Sequence, residues 1–170
     1  FTPTSGPGIS LMGEFLGSGC VTEATGVLKV RADGDGLSRA IQIALDEAGL
    51  SADAVGLIVA HGNGTPASDA SEAHAFQQVF GNNLPPVTAF KWAFGHLIAA
   101  SGILDLTLAL KALEQRIAPG MPTLQAADPE FPWLTVQPQA QPVRSSGSPK
   151  AQAQRFPTPS IRRRSICQRC

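Results

Sequence analysis

The 170-residue sequence lacks several features, and each absence excludes a class of protein. Its three cysteines are odd in number and irregularly spaced, which excludes a disulfide framework and predicts a reducing, cytoplasmic setting. No signal peptide or membrane anchor is visible, and the most apolar stretch falls short of the ~20 apolar residues that span a bilayer. Charged residues make up 15% of the chain and hydrophobic residues 43%, which indicates a soluble globular domain.

Acidic residues are also missing after Glu130, and this absence divides the chain in two. Seven lysines and arginines follow Glu130, so the neutral total conceals an acidic body and a basic tail. The tail is rich in proline, glutamine, serine and arginine and has hardly any large apolar residues, a composition that predicts disorder. We therefore predict a domain over residues 1–136 and a disordered tail over residues 137–170. Binding to nucleic acid is not predicted, because Phe156 is the only aromatic residue of the tail.

Two histidine-containing loops dominate the body of the chain. Val55 to Ala60 is an apolar run rich in β-branched residues, which predicts a buried strand that ends where His61 begins. Pro86 to Phe90 predicts a second strand, and a turn then leads to His96. The carboxyl ends of strands in an open α/β sheet are the places where ligands bind.

The chemistry of these loops has two interpretations. Paired neutral imidazoles can donate N–H bonds to an oxygen that becomes negative in a transition state, and Lys91 would add a fixed positive charge nearby. Alternatively, the glycines beside the histidines only shape tight turns and the imidazoles have no catalytic role. Two loops of the same form favour the catalytic interpretation.

Helical spacing of apolar residues predicts three helices. The first covers residues 35–48, with Asp35 as its N-cap and a glycine stop. The second begins with Asp69-x-x-Glu72, which resembles a capping box, and contains His74 as a solvated surface residue. The third runs from His96 to about Gln115 and is apolar on all sides, so we expect it to be buried. With strands over Ile9–Phe15 and in front of each histidine loop, this order predicts an α/β fold with a parallel or mixed sheet.

The two loops carry a resemblance to a known family. HGNGTPASD from His61 to Asp69, and KWAFGH from Lys91 to His96, resemble the active-site loops in the C-terminal half of β-ketoacyl-acyl carrier protein synthases, which are condensing enzymes of thiolase fold. LIAASG, which follows His96, is similar to the alanine- and glycine-rich helix of the family. The resemblance extends from about Gly8 to about Val136. It implies a layered thiolase-like α/β fold and marks the chain as a fragment, because members of the family are much longer.

The resemblance implies a role for each loop residue. His61 and His96 would hold the thioester oxygen of a malonyl group while it loses carbon dioxide. Lys91 would fix the electrostatics of the site through a buried ion pair with Glu72. Asp69 would be a supporting residue, through the backbone contacts of a helix cap.

The resemblance also implies a substrate carrier and a partner. Thr65 would hydrogen-bond the phosphopantetheine arm of an acyl carrier protein, and Asn63 stands beside it where the family usually has threonine. We expect no bound cofactor and no metal. The complete enzyme is expected to be a homodimer or heterodimer that works without membrane contact.

The implied function is that of a 3-oxoacyl-acyl carrier protein synthase, an acyltransferase of fatty acid or polyketide-type biosynthesis. The fragment alone is expected to be inactive, because the nucleophilic cysteine of the family lies in the N-terminal half. The alternative is a non-catalytic partner subunit of a condensing heterodimer, similar to a chain length factor. A degradative thiolase is disfavoured, because Leu97 replaces the usual proline and a cysteine-x-glycine motif is absent.

The cysteines fit this interpretation. Cys20 lies in a glycine-rich stretch with no evident cation or helix N-terminus to activate it, so we predict a loop residue and not a nucleophile. Cys167 and Cys170 form a single C-x-x-C, which is a weak zinc or redox signal. The closing glycine-phenylalanine-glycine-glycine turn of the family is absent from the tail. A changed reading frame is the preferred explanation, and a genuine lineage-specific tail is the alternative.

Overall fold

The computed structural model describes residues 15–26 and 29–144, together with the backbone of residues 166–167. Of the strand predicted over Ile9–Phe15, only Phe15 falls within these ranges, and it is not in a strand. The rest of that prediction lies outside the described residues, as do Cys170 and the tail between residues 145 and 165.

The described part of the chain contains the three predicted helices, two of them with different starts, and one short additional helix. They are α1 Asp35–Ala48, α2 Pro66–Phe80, the short α3 Lys91–Phe94 and α4 Ser101–Gln115, with 3₁₀ turns at Ala52–Ala54 and Ile98–Ala100. The strands are β1 Ile58–Val59, β2 Val87–Thr88, β3 Ile117–Ala118, β4 Gln141–Pro142 and β5 Ile166–Cys167. The predicted bounds of α1 are confirmed, and it stops at Gly49, whose left-handed φ of 63° lets its N–H bond back into the last turn. Its N-cap is Gly34 rather than Asp35.

A three-stranded sheet organises the fold, with strand order β2-β1-β5. β1 pairs in parallel with β2, with Ile58 opposite Val87 and Val59 opposite Thr88. The parallel sheet is therefore confirmed. Since both strands point the same way, the loops that follow them leave from the same edge of the sheet.

Alternation along β1 sends side chains into two separate layers. Ile58 lies in a core cluster with Ile41 and Leu45 of α1 and with Phe76 of α2. Leu57 and Val59 face the other way, into a cluster that contains Ala109, Ala112 and Leu113 of α4. The sheet thus has α1 and α2 on one face and α4 on the other, a layered α/β architecture as predicted.

Two predictions about α4, the third of the predicted helices, are wrong. It begins at Ser101 rather than at His96, because residues 96–100 form a loop and a 3₁₀ turn, which apolar content alone does not reveal. It is also buried on one face only. The face against the sheet has mostly small residues that allow close packing, whereas Ile103 is 64% exposed and Ile98, just before the helix, is 81% exposed.

The tail prediction needs a correction at its start. Residues 137–144 are paired with the domain: β4 lies antiparallel to β3, with Ile117 opposite Pro142. The Arg144 guanidinium donates to the carbonyl oxygens of Asn83 and Val55, at 2.5 and 2.9 Å. Pairing with β3 and the hydrogen bonds of Arg144 therefore hold this segment against the domain. Neither contact could be predicted from the composition of the segment. Further along, the backbone of Ile166 and Cys167 pairs in parallel with β1.

Residues 134–136, at the end of the region that resembles the family, are irregular, and Thr135 Oγ1 donates to the Pro85 carbonyl at 2.6 Å. Among the helices of the described ranges, none is long and apolar enough to cross a bilayer.

Candidate functional site

His61 and His96 lie together at the carboxyl edge of the sheet. His61 follows β1 after one residue, and His96 follows β2 across α3. Their ring centroids are 5.0 Å apart and the rings are nearly perpendicular, at 77°. His61 is half-buried and His96 is exposed. The expected juxtaposition of the two imidazoles is therefore confirmed.

The first loop, residues 61–65, is held by Glu72 of α2. This carboxylate is buried, and its two oxygens accept the backbone N–H groups of His61 at 2.8 Å and of Gly62 at 2.9 Å. A carboxylate that accepts backbone N–H groups makes charge-assisted bonds, which are stronger than neutral ones. Glu72 therefore fixes the backbone from which the His61 imidazole projects.

The loop approaches the second strand closely, and this explains Gly62. Its φ is +48°, a left-handed value that favours glycine, and a Cβ built at this position would lie 2.6 Å from the Cβ of Ala89. Neither the backbone angle nor the available space suits a side chain. Gly62 thus lets the His61 loop lie directly against the end of β2.

Asp69 also supports this loop, but not as a helix cap. The N-cap of α2 is Thr65 and its first residue is Pro66, so the predicted capping box is wrong. The Asp69 carboxyl is partly buried and one of its oxygens, Oδ1, has no hydrogen-bond partner among the described residues. Burial raises the pKa of Asp69, while the backbone N–H groups of Gly64 and Asn63 act against that rise.

Asn63 and Thr65 form the exposed rim of the loop. Asn63 Oδ1 accepts the Thr65 backbone N–H at 2.9 Å, which closes a short side-chain turn. The Thr65 hydroxyl makes no capping bond to α2. Both side chains lie at the surface beside the histidine pair.

The second loop, residues 91–100, is held by a buried ion pair. Lys91 Nζ lies 2.9 Å from Asp105 Oδ2, and the two side chains are only 6% and 9% exposed. The family resemblance implied Glu72 as the ion-pair partner of Lys91, and the ion pair with Asp105 corrects this. Asp105 lies on the buried face of α4, one turn after its start, so it faces Lys91 across the loop. The sequence feature that could have predicted this partner is the position of Asp105, a single carboxylate within the most apolar stretch of the chain.

The His96 ring has a defined tautomer. Its Nδ1 accepts the backbone N–H of Ile98 at 2.9 Å. Because a backbone N–H can only donate, Nδ1 must present its lone pair, and the proton of the neutral ring lies on Nε2. Ile98 itself has a φ of +52°, an uncommon and strained conformation for a β-branched residue. No pattern in the sequence predicts this backbone conformation.

Two other residues lie outside the site. Cys20 is exposed in the segment 15–26, in agreement with the prediction that it is a loop residue. His74 was predicted to be solvated, and this is wrong. Its Nδ1 lies 2.7 Å from the Ala32 carbonyl and its ring packs against Phe131 and Trp133, which are distant in sequence.

Comparisons with known proteins agree with this fold and this arrangement of loops. The family model of the β-ketoacyl synthase C-terminal domain matches residues 12–125. The chain is 34% identical over 125 residues to 3-oxoacyl-[acyl-carrier-protein] synthase 2 of Synechocystis sp., a match that covers 72% of this chain and 30% of that protein.

Solved structures give the same result. The ishigamide ketosynthase/chain length factor superposes with a TM-score of 0.70 at 32% identity, over 77% of this chain and 32% of that one. A type II polyketide ketosynthase in complex with its acyl carrier protein superposes with a TM-score of 0.71 at 26% identity, over 76% of this chain and 32% of that one.

A thiolase-like α/β layer that brings two histidines to one sheet edge defines a domain of the condensing-enzyme class. The chain belongs to the β-ketoacyl synthase family and contains its C-terminal domain. Its relatives include synthases of both fatty acid and polyketide type. The chain spans about 30% of the length of the Synechocystis relative.

Proposed function

We propose that this chain provides the decarboxylation half of a β-ketoacyl synthase active site. The observation that carries the proposal is the pair of imidazoles, His61 and His96, with ring centroids 5.0 Å apart at the ends of adjacent parallel strands. A complete site would add a nucleophilic cysteine that holds an acyl group as a thioester. The substrate class is then a malonyl thioester, and the product is a 3-oxoacyl thioester.

The reaction places negative charge on one oxygen. When the malonyl group loses carbon dioxide, the bond between its α-carbon and its carboxylate breaks, and the electron pair moves toward the thioester carbonyl. That oxygen becomes negative before the carbanion attacks the acyl thioester. N–H donors from His61 and from Nε2 of His96 would stabilise it, and removing one such donor typically costs about 3 to 4 kcal/mol of barrier.

The remaining loop residues would hold these donors in place. Glu72 fixes the backbone at His61, and the Lys91–Asp105 ion pair closes the base of the loop that carries His96. Reacting groups need such fixed positions, because small misplacements are costly in rate. The exposed hydroxyl of Thr65 and the side chain of Asn63 would contact the phosphopantetheine arm of an acyl carrier protein, the partner we propose.

A chimera tests the proposal. Residues 12–125 of this chain would replace the matched segment of the Synechocystis synthase, whose own N-terminal half supplies the remainder of the site. His61→Ala and His96→Ala should each lower malonyl decarboxylation by about 10² to 10³, because each removes one oxyanion donor. Carbon dioxide release from labelled malonyl-carrier protein measures this step, and acyl transfer to the cysteine serves as the control.

Acyl transfer should continue in both variants, since it does not use the developing enolate charge. His74→Ala is the matched control, because His74 Nδ1 lies 2.7 Å from the Ala32 carbonyl oxygen, a contact within the transplanted residues 12–125. Decarboxylation that survives in either His61→Ala or His96→Ala would contradict the proposal.

A second candidate function is a partner subunit that pairs with an active ketosynthase. It is favoured by the similarity to the ishigamide ketosynthase/chain length factor, at 32% identity. The same chimera separates the two candidates. A domain that serves only as a partner subunit would give a chimera that accepts an acyl group but releases no carbon dioxide, with the histidines intact.

A further inference from the structure

Ser101 links the start of α4 to the ring of His96. It is the first residue of the helix and is 6% exposed. Its Oγ accepts the Leu97 backbone N–H at 2.9 Å and lies 3.2 Å from His96 Nδ1. One hydroxyl therefore contacts both the ring of His96 and the backbone next to it.

The hydrogens of this group can be assigned from the donors. Leu97 N–H can only donate, so Ser101 Oγ is an acceptor there and its own hydrogen remains available. His96 Nδ1 already accepts Ile98 N–H, so it carries no proton and can only be an acceptor toward the Ser101 hydroxyl, whose oxygen lies 3.2 Å away. The hydroxyl donates to Nδ1, and two donors then converge on this nitrogen.

We propose that Ser101 is the positioning residue of His96. Its hydroxyl, together with Ile98 N–H, holds the imidazole in the Nε2–H tautomer and restricts its rotation. The use of that N–H for a substrate oxygen rests on the proposed function, whereas the tautomer itself does not.

The backbone N–H of Ile98 alone would not hold the His96 ring in a fixed position. Ile98 lies in a loop whose residues 92–100 are all exposed, and its backbone has a strained φ of +52°. Exposed loops with few packed neighbours open easily. Ser101, by contrast, is buried at the start of a 15-residue helix that packs on the sheet. The serine is therefore the donor with a fixed position.

Histidine ¹⁵N spectra of the 170-residue chain, fused to a solubility domain, test the proposal directly. Long-range proton–nitrogen correlations distinguish the protonated ring nitrogen from the unprotonated one, and a His96→Gln variant assigns the signals. In the native chain, Nε2 of His96 should carry the proton. Ser101→Ala should lower the ratio of the Nε2–H to the Nδ1–H form by about fivefold, the effect of losing one ordinary hydrogen bond.

Two further variants separate the hydroxyl from packing. Ser101→Thr retains the hydroxyl and should restore the native ratio. Ser71→Ala removes a buried serine of α2 and should leave the His96 signals unchanged. An unchanged ratio in Ser101→Ala, no restoration in Ser101→Thr, or the same shift in Ser71→Ala would each overturn the proposal.

Kinetics in the chimera add a second measurement. Ser101→Ala should lower decarboxylation by about fivefold while acyl transfer is unchanged, and Ser101→Thr should restore it. An equal loss in both steps would indicate general damage and contradict the positioning role. If His96→Ala retains decarboxylation, the proposed function fails, and the tautomer ratio still decides the role of Ser101.

Discussion

The two histidine loops are stabilised by different kinds of contact. The His61 loop, residues 61–65, is held from beneath by Glu72, eleven residues further along the chain, through bonds to its backbone. Within the described ranges, side chains of α4 reach the His96 loop, residues 91–100, near its two ends, through the Lys91–Asp105 pair and through Ser101. Residues 92–100 between these contacts are all exposed. The first loop is thus held at its start through backbone bonds to a buried carboxylate, whereas the second is held through side chains near its two ends.

The Lys91–Asp105 pair should give the largest stability effect in this comparison. Asp105→Ala leaves a buried lysine without its described partner, and breaking a buried ion pair in this way typically costs about 3 to 5 kcal/mol. Urea denaturation of the chain measures the change. The control is Lys111→Ala, which removes a surface pair with Glu114 whose side chains are 38% and 47% exposed, and should cost at most about 1 kcal/mol. Equal losses in the two variants would contradict the role given to the buried pair.

Glu72→Gln should give the second-largest loss of stability. Glu72→Gln replaces one carboxylate oxygen with an amide group that cannot accept a backbone N–H, so one bond to the His61 loop is lost and the other loses its charge. We expect a loss of about 2 kcal/mol in the free energy of unfolding. Glu47→Gln is the matched control, because Glu47 also accepts a backbone N–H, from Ser18, but at the exposed surface. Its effect should be within about 0.5 kcal/mol.

The close approach of Gly62 to β2 should give the smallest of the three effects, because the overpacking that it adds is about 1 kcal/mol. Gly62→Ala combines a left-handed φ with a Cβ 2.6 Å from that of Ala89, whereas Gly49→Ala has a φ of +63° and nothing within 4 Å. Both variants lose about 1 kcal/mol to backbone strain. Overpacking should add about 1 kcal/mol at Gly62 alone, and the second substitution Ala89→Gly should relieve that addition. Identical stabilities for the two alanine variants would show that the close approach of the loop to β2 has no energetic role.

The same contrast shows how much of the site the sequence could predict. Strand ends, loop positions and the meeting of His61 with His96 followed from short apolar runs and from the resemblance of the loop motifs. The partner of Lys91 did not, because the resemblance implied Glu72, whereas Asp105 reaches Lys91 only through the register of α4. The start of α4 was misplaced for a related reason, since residues 96–100 are as apolar as the helix.

Two further errors involve contacts between distant parts of the chain. His74 had no visible partner at helical spacing, yet Phe131 and Trp133 pack against it from more than fifty residues away. Residues 137–144 have the composition of a disordered segment, yet β4 pairs with β3 and Arg144 bonds to carbonyl groups of two loops. The composition of a segment indicates how much apolar surface it can bury by itself. It does not indicate which packing contacts and hydrogen bonds the rest of the fold provides.

The most direct test of the central claim is a double-mutant cycle on decarboxylation in the chimera. The claim is that His61 and His96, from two differently built loops, act on one oxygen. Each alanine variant alone should then lose most of the oxyanion stabilisation, and the double variant should lose much less than the product of the two single losses. Losses that multiply fully would mean that the two histidines act independently, and would contradict the account.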